Sequence, residues 1–180
     1  MPHDLGAIAC RAVGPSAVQR NSIEVNVASA SPRYVARSTP AAALLLEELQ
    51  DAHQMLLQAM SQLDELTRGA LPAKAAVIEK RWKISRTSLA RRGLWRRVHD
   101  YLSCRPSNAD GIDLHRLQES DMDLLRCSSK HISKWSIDAV MNDWPAYCED
   151  SRAIRTKMEI AIRAEMRILY PLLGAGSYSC

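Results

Sequence analysis

The sequence predicts an all-α protein, an up-down-up-down four-helix bundle preceded by an irregular N-terminal arm. Three observations lead there. Between Pro40 and Leu173, four separate stretches carry apolar residues at alternating three- and four-residue steps, the spacing of one buried helix face. The connections between them are short, which sets consecutive helices antiparallel. Strand patterning is nearly absent: Ser22 to Ala28 alternates weakly and finds no second strand to pair with.

The chain has 180 residues, 47% of them apolar and 24% charged, the balance of an ordinary globular domain rather than a disordered or collagenous chain. Phenylalanine is absent, so the large core residues must be Leu, Met, Ile and the four Trp. The longest apolar run considered, Ala41 to Leu46, falls far short of the ~20 residues a membrane span needs. The N-terminus lacks the charged-then-apolar layout of a secretory leader. Cys10, Cys104, Cys127, Cys148 and Cys180 are scattered, with no Cys-x-x-Cys pair. That fits a reduced, cytoplasmic chain without membrane contact better than a disulfide framework.

Each element has its own justification. Residues 1–39 are rich in Ala, Ser, Val and Pro, interrupted by Gly14-Pro15, Ser31-Pro32 and Thr39-Pro40, and read as an arm. The first helix is expected over Pro40–Thr67, with Gly69 beyond its end and a seam of Leu46, Leu49, His53, Leu56, Met60 and Leu63. The second runs from Pro72 to Ser103 with a pause at Gly93. It offers two phases, Val77, Arg81, Ile84, Ser88, Arg91, Trp95, Val98, Leu102 or Ile78, Trp82, Ser85, Leu89. Neither phase is cleanly apolar. The run Arg105 to Gly111 reads as a turn. A third helix follows with Leu114, Leu117, Asp121, Leu124, Ser128, His131 and Trp135 on its seam. Ser136 caps a short turn over Ile137–Met141, and Asp143-Trp144-Pro145 opens the fourth helix. The seam of that helix reads Tyr147, Ser151, Ile154, Met158, Ala161, Glu165, Ile168, Leu172 until Gly174 and Gly176 stop it. The organisation is therefore an arm (1–39), a bundle (40–173) and a short tail (174–180).

Polar residues stand where leucine is expected. His53, Asp121, His131 and Glu165 all fall on otherwise apolar stripes, and inward His and carboxylate side chains are what a bundle uses to hold metal. A buried His is also commonly just a hydrogen-bonded core residue. His53 is expected to be inward and neutral, and replaceable by Leu. A buried carboxylate such as Glu165 needs a metal, a cation or a proton.

Several of these residues carry a family resemblance. His131-Ile-Ser-Lys-Trp135, Asp143-Trp-Pro-Ala-Tyr147 and Ala161-Ile-Arg-Ala-Glu165-Met-Arg-Ile-Leu-Tyr-Pro-Leu-Leu173 resemble bacterial hemerythrin-like (HHE cation-binding) domains. So does the first helix, with His53 inside Leu-x-x-Ala-His-x-x-Leu-Leu. The resemblance covers about residues 41–173 and implies a four-helix bundle binding two irons through one His of the first helix and His-x-x-x-Glu-type pairs from later ones. The sequence departs from that pattern at the ligands. The last helix has Ala161 where a pair needs His, and the second helix has Arg91 and Trp95 at the pair's positions. His53, His131 and Glu165 remain as a vestigial set, with Asp121 or Cys127 as strays. The resemblance thus implies a member that has lost its metal. On the first phase of the second helix an Arg91–Glu165 ion pair, widened by His53 or His131, is expected in the vacated site; on the Ile78/Trp82/Leu89 phase Arg91 lies in solvent.

The expected function is a metal-free binding, sensory or regulatory module, acting on a protein partner or as a homodimer. The first alternative is a non-heme iron protein binding oxygen or a related small molecule, with iron as cofactor. The second is an anionic partner or nucleic acid on the second helix. Residues 80–105 carry nine Lys and Arg against Asp100 alone, and Lys80, Lys83, Arg86, Arg92, Arg96 and Arg97 form a possible anion-binding face. The plainer reading of that face is a solvated surface complementing the acidic first helix, which disfavours nucleic acid. No enzyme is expected: there is no Gly-rich phosphate loop, Gly-x-Ser-x-Gly elbow or His-Glu-x-x-His.

Overall fold

The computed structural model describes residues 40–104 and 108–174; the expected arm, residues 105–107 and the end of the tail lie outside the described residues. The elements are α1 (Pro40–Thr67), α2 (Lys74–Ser103), α3 (Asn108–Lys134), α4 (Ile137–Asn142) and α5 (Trp144–Gly174), with no strand among the described residues. No described helix is long and apolar enough to cross a membrane.

α1 opens with Pro40, whose fixed φ and missing N–H suit the first helical position. It buries Leu45, Leu49, His53, Leu56, Met60 and Leu63 on one stripe. The helix ends where Arg68 and Gly69 donate to the carbonyls of Glu65 and Leu66, three residues back, tightening the last turn.

α2 takes the first of its two expected phases. Val77, Arg91, Trp95, Val98 and Leu102 are buried, whereas Ile78, Trp82 and Leu89 are exposed. The expected pause at Gly93 does not occur, and the helix is continuous through it. Gly93 is exposed with nothing near its α-carbon face, so it costs only about 1 kcal/mol of propensity, too little to break thirty residues.

The expected turn over 105–111 is also shorter than its composition suggests, since α3 already begins at Asn108. Propensity is a weak prior, and the first turn of a helix accepts residues that its interior disfavours. Ser136 caps α4 as expected, its side chain accepting from the Ala139 amide at 3.1 Å. Asp143 does the same for α5, accepting from the Ala146 amide at 3.2 Å. Gly174 is the last helical residue rather than the first of a tail.

Three apolar clusters make the core. The first joins Leu45 and Leu49 to Val98, Leu102, Leu114, Leu117, Leu169 and Leu173. The second joins Leu56 and Met60 to Leu124, Met158 and Ile162. The third is aromatic, with Trp135, Trp144 and Tyr147 around Val77 and Val140. The order in which each helix meets these clusters sets its direction: α1 and α3 run one way, α2 and α5 the other. α1 packs along both α2 and α5, and α5 packs along α3. α2 and α3 hardly touch, and a groove lies between them.

Candidate functional site

Between the first and second apolar clusters the seams turn polar together. His53 sits between Leu49 and Leu56 on α1, Asp121 between Leu117 and Leu124 on α3, and Glu165 between Ile162 and Leu169 on α5. Arg91 comes from α2, one turn before Trp95. Four helices thus contribute one polar side chain each to a single layer. His53, Arg91 and Glu165 are at most 2% exposed, so each must find its partner within the protein.

They find them in one another. The Arg91 guanidinium forks: Nη1 donates to Glu165 Oε1, and Nη2 donates to Asp121 Oδ1 at 2.5 Å. Glu165 Oε2 lies 2.9 Å from His53 Nε2, and His53 Nδ1 lies 2.9 Å from the Tyr170 hydroxyl. An ionised carboxylate only accepts, so Nε2 carries the proton donated to Glu165. In the neutral ring Nδ1 then accepts from Tyr170, whose ring stacks on the imidazole at 5.7 Å. Arg92 approaches the same oxygen of Asp121, its Nε 3.8 Å from Oδ1. Two guanidinium groups and two carboxylates therefore balance, with the His53 imidazole beside them.

Burial works against the charge of Arg91, but the Glu165 and Asp121 carboxylates outweigh it and raise its pKa above the usual value. Arg91 stays cationic at any physiological pH. The buried Nε atoms of Arg91 and Arg92 have no hydrogen-bond partner among the described residues.

The structure brings Arg91, Glu165, His53 and Asp121 together, but His131 stands elsewhere. Its ring packs 5.8 Å from that of Tyr147, at the aromatic end of the groove between α2 and α3. Burial, with Arg81, Lys134 and Arg155 assisting and Asp150 opposing, holds the His131 pKa below its ordinary value. Cys127 is also apart, beside exposed Lys157 at 3.8 Å. The vestigial set His53, His131 and Glu165 is thus not one cluster.

The donor set does not fit iron. Of the polar layer only His53, Asp121 and Glu165 are ligand types, and both carboxylates already accept from Arg91. A dication there would have to displace a buried guanidinium, which it repels. No group of three or more His, Cys, Asp or Glu is arranged to hold a metal ion among the described residues.

The six residues of the expected anion-binding face are dispersed. Lys80 pairs with Glu79 at 2.9 Å and Arg97 with Glu48 at 2.6 Å. Lys83 donates to Gln62 at 3.1 Å, and Arg86 lies over the Trp82 ring at 4.4 Å. Arg92 turns inward to Asp121, leaving Arg96 exposed.

A second buried cluster has no counterpart in the sequence reading. Arg155 on α5 donates to Ser151 Oγ at 2.6 Å, and to Asp64 Oδ1 and Thr67 Oγ1 at 3.0 Å each. It closes the gap between the second and third apolar clusters. The available signal was Ser151, a seam position too small to fill its place, with Arg one turn later.

No family model, no curated protein and no solved structure matches this chain.

Proposed function

We propose that the chain is a four-helix bundle of the hemerythrin-like kind whose central layer is held by ion pairs instead of metal, and that it works as a binding or regulatory module without catalysis. The observation that carries this reading is the Arg91 guanidinium, buried and shared between Glu165 and Asp121 at the level where the resemblance implies iron ligands. A guanidinium offers five donors and no acceptor, so Arg91 reaches both carboxylates and, with Arg92 beside Asp121, supplies the counter-charge a metal would otherwise bring. The alternating directions of α1, α2, α3 and α5 support the bundle topology. The local pairing of Lys80 and Arg97 with acids argues against a nucleic-acid role.

Thermal unfolding with and without chelator, and with and without added iron, tests the reading. A metal-independent bundle unfolds at the same temperature in all conditions. A ligand that binds only the folded state raises stability by about 2.7 kcal/mol at a hundredfold excess over its Kd. A rise of the corresponding size with iron, reversed by chelator, would overturn the proposal in favour of a non-heme iron protein.

A further inference from the structure

The seam that α2 and α3 leave open is a groove of about 510 Å3, within the range of small-molecule sites. It follows α2 from Ile78 to Arg92, about 21 Å at 1.5 Å per residue. Its walls are apolar, with Leu63, Ile84, Leu89, Leu125, Ile154 and Met158 among them. Ile78, Trp82, Leu89 and Ile132 at its rim are exposed by about half or more. Exposed apolar surface gathered along one groove marks a binding site more often than scattered residues do.

The charged groups that line the groove among the described residues are of one sign. Arg81, Arg92, Arg155 and His131 line it, and no Asp or Glu does. Arg155 and Arg92 turn to Asp64 and Asp121 respectively. Arg81 has no carboxylate partner among the described residues; it donates to the Trp135 carbonyl at 2.6 Å and lies over the Tyr147 ring at 5.7 Å. Tyr147 is wholly buried, and its hydroxyl, beside Ser151, makes no hydrogen bond of ordinary geometry among the described residues. A guanidinium without a carboxylate partner among the described residues thus stands with His131 at one end of an apolar trough.

We propose that this groove binds an apolar monocarboxylate of the fatty-acid type, its chain along the leucine and isoleucine walls and its carboxylate at Arg81, with the His131 imidazole beside it. The proposal rests on the reading of the chain as a binding module. One unpaired guanidinium matches one negative charge, and its planar fork matches a carboxylate. His131, neutral near pH 7, stands at the same end with one N–H to give. Among the groups acting on it are the cations Arg81 of α2, Lys134 of α3 and Arg155 of α5, with the acid Asp150 of α5 opposing them. A bound carboxylate raises the His131 pKa.

The test is titration of the full chain with sodium dodecanoate below its micelle concentration, followed by tryptophan fluorescence, with dodecanol, acetate and phosphatidylglycerol vesicles as comparison probes. Dodecanoate should saturate at one per chain and bind roughly tenfold or more tightly than dodecanol, the worth of a hydrogen bond to a charged group. Acetate and vesicles should do nothing, and the His131 imidazole, followed by NMR, should titrate at higher pH when dodecanoate is bound. Arg81→Met should remove the preference for the acid while leaving dodecanol binding. His131→Leu, at a half-buried position of the groove wall, should weaken the same preference and reads it if Arg81→Met fails to fold. Equal affinity for acid and alcohol, a preference for vesicles, or a dimer that dodecanoate cannot dissociate would overturn the proposal. Protein that holds iron yet binds dodecanoate refutes the metal-free reading alone. Metal-free protein indifferent to dodecanoate refutes this inference alone.

Discussion

Replacing Arg91 by Met keeps most of the side-chain volume and removes the charge, so it isolates the ion pair from the packing. The loss falls mainly on Glu165, whose side chain is 3% exposed and keeps only His53. Asp121 is less affected, being 14% exposed and still approached by Arg92. Stranding one partner of a buried pair costs about 3–5 kcal/mol, and the remaining His53 contact places this case near the lower end. A loss of about 3 kcal/mol lowers Tm by roughly 6–12 °C in a chain of this size. Adding Glu165→Leu removes the stranded carboxylate and should recover more than half of that loss. The remainder belongs to His53, left without its acceptor. Urea unfolding of wild type, both single variants and the double variant closes a cycle, and the coupling between Arg91 and Glu165 should exceed about 1 kcal/mol, as for residues in direct contact. A shift within about 0.5 kcal/mol for Arg91→Met, typical of surface substitutions, would refute the buried pair. So would strict additivity in the double variant.

Other outcomes follow from the same geometry. His53→Leu should destabilise by about 1–3 kcal/mol by chemical denaturation, because it leaves Glu165 Oε2 and the Tyr170 hydroxyl unmatched; the tolerance expected from the seam alone ignores both partners. Tyr147→Phe should leave stability unchanged or slightly higher in the same assay, since the hydroxyl it removes is buried without a hydrogen bond of ordinary geometry among the described residues. Burial pushes the Asp64 carboxyl up, but Arg68 and Arg155 outweigh it, so its pKa stands below the ordinary 3.8. Its contribution is complete above the unfolded value and is lost as pH falls through the lower folded value. Asp64→Asn should therefore flatten the fall of the urea midpoint below about pH 4, where wild type binds protons on unfolding.

Helix positions were legible because seam spacing is strong in α1, α3 and α5, and Gly69, Ser136 and Asp143 mark their ends in ordinary ways. His53, Asp121 and Glu165 could be read as seam residues for the same reason: a leucine or isoleucine stands on both sides of each. The phase of α2 was not legible. Its apolar residues occur on two faces, Val77–Val98 toward the core and Ile78–Leu89 toward the groove and its rim, and periodicity cannot rank two stripes on one helix. Arg155 escaped because its guanidinium reaches α1 from a position beside the seam, and side-chain length is invisible to spacing. Tyr170 escaped likewise, since its hydroxyl reaches His53 from a residue only partly buried.

The central claim is that a guanidinium, not a metal, neutralises the buried carboxylates of this layer. Elemental analysis of the chain, purified from cells grown with iron and manganese in excess, tests it most directly. The account predicts metal far below one equivalent per chain and no near-ultraviolet oxo-bridge absorption. One or two equivalents of iron that survive gel filtration and disappear with the substitution His53→Leu would contradict it.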